Sequence, residues 1–161
     1  MSAPKVRPTT AKVRESLMAI LAAELDGARV LDLFAGSGSL GLASLQEGAA
    51  EVVFVEGDPK VAQQLRPRLT PACRLVTGKL PQALGRLKGR FDVILADPPY
   101  DAPQGPRCLQ GLDDLMNEGA VAVFEHHHKQ DYPDTVGGLE LYRRERHGET
   151  ALSFYRQSAK E

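Results

Sequence analysis

The chain has no tryptophan, only two cysteines among its 161 residues, and few aromatics of any kind. Cys73 and Cys108 lie far apart and form no CxxC pair. That argues against a structural zinc site and against a disulfide framework, and it fits a reduced, cytoplasmic setting. No apolar run approaches the roughly 20 residues needed to cross a bilayer. The N-terminus shows no continuous apolar stretch of the kind found in secretory signals. An excess of charge is missing too: 20 Lys and Arg stand against 21 Asp and Glu, a net charge of −1. A general nucleic-acid binder usually carries a basic excess, so the balance counts mildly against one. Basic residues are gathered locally instead, at Lys5, Arg7, Lys12 and Arg14, at Arg86, Lys88 and Arg90, and at Arg143, Arg144 and Arg146. A solvated face accounts for each group as well as a binding surface does, and only the first stands beside other suggestive residues.

What is present is a regular alternation of helical and strand-like segments. Thr10 to Leu25 places Val13, Leu17, Ile20, Leu21 and Leu25 on one helical face, with Asp26-Gly27 as a stop. Arg29 to Phe34 reads as a buried strand running into Ala35-Gly-Ser-Gly-Ser-Leu-Gly41, after which helical spacing resumes as far as Gly48. Val52 to Val55 predicts a second strand, Pro59 to about Leu69 a helix, Arg74 to Thr77 a third strand, and Pro81 to Leu87 a short helix. Phe91 to Ala96 predicts a fourth strand, followed by a helix around Leu109 to Met116 and a strand over Ala120 to Phe124. Two late strands, near Leu139 to Arg143 and Leu152 to Arg156, have no helix between them and so pair antiparallel. Strands alternating with crossover helices predict one doubly wound α/β domain over residues 1–161, with a mostly parallel sheet and helices on both faces.

Gly36, Gly38 and Gly41 satisfy GxGxxG at a strand-to-helix turn, and Glu56 ends the next strand. This is the dinucleotide fingerprint as usually written, and by itself it does not separate a nicotinamide enzyme from a methyltransferase. Asp32 does. A dinucleotide sets its pyrophosphate on the helix N-terminus, where a fixed carboxylate would repel it. A carboxylate there suits a ligand bearing an ammonium group, such as the methionine part of S-adenosylmethionine. Glycines let the backbone approach that ligand, and Glu56 is placed to accept hydrogen bonds from ribose hydroxyls. Asp58 suits a helix N-cap before Pro59 equally well.

Asp97-Pro98-Pro99-Tyr100 follows the fourth strand, at the carboxyl edge where doubly wound sheets bind their ligands. An aromatic exocyclic amine is a poor nucleophile because its lone pair is delocalised into the ring. Accepting its two N–H groups, on the Asp97 carboxylate and the Pro98 carbonyl, favours a pyramidal nitrogen with an available lone pair. Two prolines lock φ so that side chain and carbonyl converge. Tyr100 offers a stacking face for a base, worth about 1–3 kcal/mol.

Asp97-Pro-Pro-Tyr100 resembles the (D/N)PP(Y/F) motif of amino-methyltransferases, and Asp32-Leu-Phe-Ala-Gly-Ser-Gly38 resembles their cofactor motif. Together with Arg7-Pro-Thr-Thr-Ala-Lys-Val-Arg-Glu15 and Gly148-Glu-Thr-Ala-Leu152, they resemble the RsmD family, which methylates guanine N2 in 16S ribosomal RNA. The resemblance covers nearly the whole chain. It implies a seven-stranded sheet of order 3-2-1-4-5-7-6 with the last strand antiparallel. It implies S-adenosylmethionine held by Asp32, Phe34, Ala35, Gly36, Gly38, Gly41, Glu56 and Gly57, with Asp97, Pro98, Pro99 and Tyr100 at the amine. Its implied target is guanine 966 of the small-subunit RNA, presented by a partly assembled subunit; nothing in the sequence itself demands more than a monomer. Lys5, Arg7, Thr10 and Arg14 are the candidates for RNA contacts, where phosphate contacts position without specifying; salt bridges on the first helix are the competing role for the arginines. One departure stands out. Many methyltransferases carry an acidic or amide residue after the third strand to meet the cofactor's adenine, and here Gly78-Lys79 stands there.

Three rivals remain open at this point: adenine-N6 methylation of DNA or RNA by the same loop chemistry, a nicotinamide-binding redox protein, and a catalytically silent ribosome-assembly factor. The triplet His126 to His128 invites a metal reading, but neighbouring residues on a strand point to opposite faces, so a functional metal is not expected.

Overall fold

The computed structural model describes residues 10–99 and 104–159. Thr10 caps helix α1 (Ala11–Leu25), its hydroxyl accepting the Val13 N–H at 3.2 Å. Val13, Leu17, Leu21 and Leu25 repeat every four residues, and with Met18 they form the helix's buried face. Strand β1 (Arg29–Leu33), the loop to helix α2 (Ser39–Gln46), strand β2 (Glu51–Glu56) and helix α3 (Pro59–Leu65) follow. Pro67 ends α3 in a 3₁₀ turn over Arg66–Arg68. Strand β3 (Cys73–Thr77), a 3₁₀ turn over Gln82–Arg86 and strand β4 (Phe91–Ala96) complete the first half. Helix α4 (Gln104–Leu109) leads to strand β5 (Met116–His127), the short β6 (Thr135–Val136), β7 (Leu139–His147) and β8 (Thr150–Gln157).

Among the described residues these strands form one eight-stranded sheet of order β3-β2-β1-β4-β5-β8-β7-β6. β1 to β5 are mutually parallel, and β8 enters antiparallel between β5 and β7. The central strands are apolar on both faces because helices cover both. One layer packs Val30, Val52, Phe54, Val93 and Leu95 beneath α1 and α2, and the other packs Leu31, Leu33, Ile94 and Ala96 against Leu109, Leu112 and Leu115.

The structure corrects three expectations. The sheet has eight strands where seven were expected, because β6 and β7 form a hairpin about Gly137-Gly138, both at positive φ. Such a pair is the standard two-residue hairpin turn. The helix expected over Leu109 to Met116 instead ends at Leu109, and Asp113–Leu115 is a 3₁₀ turn. Leu109, Leu112 and Leu115 repeat every three residues, which is the 3₁₀ period rather than the α period. β5 is accordingly longer than expected, reaching His127 instead of stopping at Phe124.

Candidate active site

The carboxyl ends of β2, β1, β4 and β5 stand side by side, and each carries one acidic residue on the same face. Phe54, Val30, Leu95 and Val123 all pack in the layer beneath α1 and α2. Side chains alternate along a strand, so two residues further along lie Glu56, Asp32, Asp97 and Glu125. Leu33 pairs with Val55 and Ala96, and Ala96 pairs with Phe124. Glu56, Asp97 and Glu125 are therefore level, one residue beyond that row, and Asp32 sits two residues deeper. All four line a single cleft of about 490 Å³, together with Asp58. No lysine or arginine occurs among its described lining residues.

Burial pushes the Asp32 carboxyl well above its ordinary 3.8, the Gly41 N–H hydrogen bond opposes the rise, and the nearby Asp97 and Glu56 charges add to it. The Asp32 Oδ2 accepts the Gly41 N–H at 3.0 Å, tying the first turn of α2 to β1. Glu56 is fixed by two backbone donors: Oε1 accepts the Gly36 N–H and Oε2 the Asp58 N–H, both at 2.8 Å. Asp58 caps α3, its Oδ1 accepting the Lys60 N–H at 2.9 Å, while it also borders the cleft. Such a concentration of negative charge repels a pyrophosphate and attracts a cation. Among the described residues no group of three or more His, Cys, Asp or Glu is arranged to hold a metal ion.

The three loop glycines divide their work. Gly36 lines the cleft at φ +57, with nothing nearer to an added Cβ than the Phe34 carbonyl oxygen at 3.9 Å. A Cβ on Gly38 would lie 2.6 Å from Leu65 Cδ1, and one on Gly41 would collide with the Phe54 ring and lie 2.8 Å from Val52 Cγ1. Gly38 and Gly41 thus serve the close packing of α2 and α3 on the sheet, outside the cleft lining, and Gly57 also lies outside it. Phe34 and Ala35 line the cleft, and Phe34 adopts φ 58, uncommon for a residue with a side chain.

Pro98 and Pro99 border the cleft beside Asp97. Tyr100, Lys5 and Arg7 lie outside the described residues. Thr10 serves as the α1 cap. α1 joins β1 through residues 26–28 alone, so it runs back along the sheet. Neither Thr10 nor Arg14 is among the described residues that line the cleft. Arg14 makes no ion pair among the described residues. Lys79 is absent from the described lining, where Asp58 and Val61 border the side next to Glu56.

The sequence reading missed the far wall, formed by Glu125, His126, His127, Gln130 and Thr150. A signal was available: Glu125 interrupts an apolar strand near its carboxyl end, as Asp32 does and as Asp97 does just past its strand. His126 is held in one tautomer. Its Nδ1 lies 2.8 Å from the His127 carbonyl oxygen and so carries the proton, and Nε2 accepts the Ser153 hydroxyl at 2.7 Å. Its ring stacks on Tyr132 at 3.9 Å. Burial, the largest influence, pushes the His126 imidazole down to about 4.

The family described as "Conserved hypothetical protein 95" matches residues 1–156. The Escherichia coli protein named ribosomal RNA small subunit methyltransferase D is 31% identical, over 97% of this chain and 82% of its own. The chain belongs to the RsmD family. YlbH of Bacillus subtilis, named for rRNA methylation, is 34% identical to this RsmD-family chain over 94% of it and 88% of YlbH. The solved structure of yhhF from Escherichia coli superposes with a TM-score of 0.85 at 28% identity, covering 96% of this chain and 91% of that one. The fold of this RsmD-family member is therefore shared by yhhF across nearly its full length.

Proposed function

We propose that this protein transfers a methyl group from S-adenosylmethionine to the N2 amine of a guanine in 16S ribosomal RNA, within an assembled or partly assembled small subunit in the cytoplasm. The observation that carries the reading is the row of carboxylates in a cleft with no lysine or arginine among its described lining residues, ending at Asp97-Pro98-Pro99. Membership of the RsmD family and the names of the relatives support the ribosomal RNA and the small subunit. Guanine 966 is the position the family resemblance implies.

Asp32 takes the ammonium of the cofactor's methionine part, and Glu56, already oriented by Gly36 and Asp58, takes the ribose hydroxyls. Gly36 gives close backbone approach. When bound, S-adenosylmethionine supplies a methyl group on a positive sulfur that departs with the bond's electron pair. Asp97 and the Pro98 carbonyl accept the two N–H groups of the target amine, leaving its lone pair directed out of the ring plane. Tyr100 stacks the base. The proton lost from the amine passes to water. Much of the acceleration is positional, since alignment of two bound groups supplies up to about 7–11 kcal/mol. A monomer suffices, since one chain contributes every residue named. Asp97→Ala should leave cofactor affinity by calorimetry within about twofold and lower methyl transfer to small subunits by roughly 10²–10³-fold. Near-normal turnover in that variant would remove the role given to the carboxylate.

A further inference from the structure

We propose that Glu125 reads the N1–H of the target guanine and so separates guanine from adenine; this rests on the guanine reading above. The four carboxylates are ordered along the sheet edge as Glu56, Asp32, Asp97 and Glu125, on β2, β1, β4 and β5. The first two fall to the cofactor and the third to the reacting amine. Glu125 is then the next position outward, on the side of Asp97 away from the cofactor, where the rest of the base must lie. It is level with Asp97 on the adjacent parallel strand, with strands about 4.8 Å apart. It is only 7% exposed and borders the cleft.

A carboxylate is an acceptor at both oxygens. Guanine presents two donors side by side, the N2 amine and N1–H, which two neighbouring carboxylates can accept together. Adenine presents its N6 amine beside N1, which is an acceptor. Glu125 would there face a lone pair with its own lone pairs, and a buried polar group opposed in this way loses a hydrogen bond and its solvation together. The neighbouring His126 ring has both nitrogens engaged, with His127 and Ser153, and brings no charge to offset the clash. The discrimination follows from the donor pattern of the base, and it needs no sequence readout of the flanking RNA.

2-Aminopurine tests this, since it keeps the N2 amine and lacks the N1–H. Small-subunit particles reconstituted with guanine or 2-aminopurine at the target nucleotide would be compared by kcat/KM for methyl transfer. The wild-type protein should favour guanine by roughly 10- to 100-fold. Glu125→Gln should bring the two substrates within about threefold, because a carboxamide can donate to N1 or accept from it. Its cofactor affinity by calorimetry should match the wild type. A wild-type ratio near one overturns the proposal without any variant being made, and so does a Glu125→Gln protein that keeps the wild-type ratio. If the wild-type protein fails to methylate guanine N2 at all, or labels adenine N6, the parent reading falls and takes this one with it. A failed ratio beside normal N2-methylguanosine formation overturns Glu125 alone.

Discussion

Asp32 lies buried beneath the glycine loop with one oxygen on the Gly41 N–H, and burial holds its carboxyl well above the ordinary range. A side chain that is costly to ionise in the empty protein gains a partner when a cation enters the cleft. Asp32→Asn keeps an oxygen for the Gly41 N–H while removing the charge. It should leave the thermal midpoint unchanged or raise it by roughly 2–4 °C, while weakening S-adenosylmethionine binding by about 10- to 100-fold in calorimetry. A variant that loses stability and keeps its affinity would make Asp32 a purely structural residue. At this scale the sequence was informative wherever an acidic residue broke an apolar strand beside a known motif, as with Asp32, Glu56 and Asp97. Glu125 has the same pattern, but without a glycine loop or a proline pair beside it the sequence reading ends the strand at Phe124, three residues short of His127 and one residue before Glu125. The separate duties of Gly36, Gly38 and Gly41 were not legible, because only three-dimensional neighbours such as Phe54 and Leu65 distinguish a glycine that faces a ligand from one that faces a helix.

The strands β5, β7 and β8 are joined on one face by side chains as well as by their ladders. Arg144 donates from Nε to Ser153 Oγ at 3.1 Å and from Nη2 to the Tyr132 carbonyl at 3.1 Å, and Ser153 donates in turn to His126. A proton added at His126 Nε2 would break the last link. The unfolded chain binds that proton near 6.5 and the folded chain only near 4. Stability from this group is therefore complete above 6.5 and is lost as pH falls from 6.5 to 4, at up to about 1.4 kcal/mol per pH unit. The thermal midpoint of the wild-type protein should fall more steeply across that window than that of His126→Gln. Equal slopes would contradict the neutral, buried assignment. The order of strands and helices was readable from hydrophobic spacing, since β1, β2 and β4 are short apolar runs bounded by glycine and proline. The passage from α4 to β5 was not, because a three-residue spacing of leucines in a 3₁₀ turn imitates one face of an α-helix.

Across the whole molecule, the net charge of −1 conceals an uneven distribution. Five carboxylates line the cleft, and many arginines outside it are spent on local structure. Arg29 donates to the Lys88 and Arg90 carbonyls, Arg90 to the Met116 carbonyl, Arg86 to the Thr77 carbonyl, and Arg143 pairs with Glu145. Two of the three basic clusters thus have structural duties, while Lys12 and Arg14 of the first make no ion pair among the described residues. A compact chain without a net basic charge suits the proposed substrate, whose shape is already set by folded RNA and ribosomal protein. The most direct test of that account is methyl transfer from labelled S-adenosylmethionine to small ribosomal subunits, to their stripped RNA and to duplex DNA, followed by nucleoside analysis. The account predicts N2-methylguanosine, formed best in the subunit sample. Label in N6-methyladenine, or transfer to duplex DNA in preference to both ribosomal samples, would contradict it.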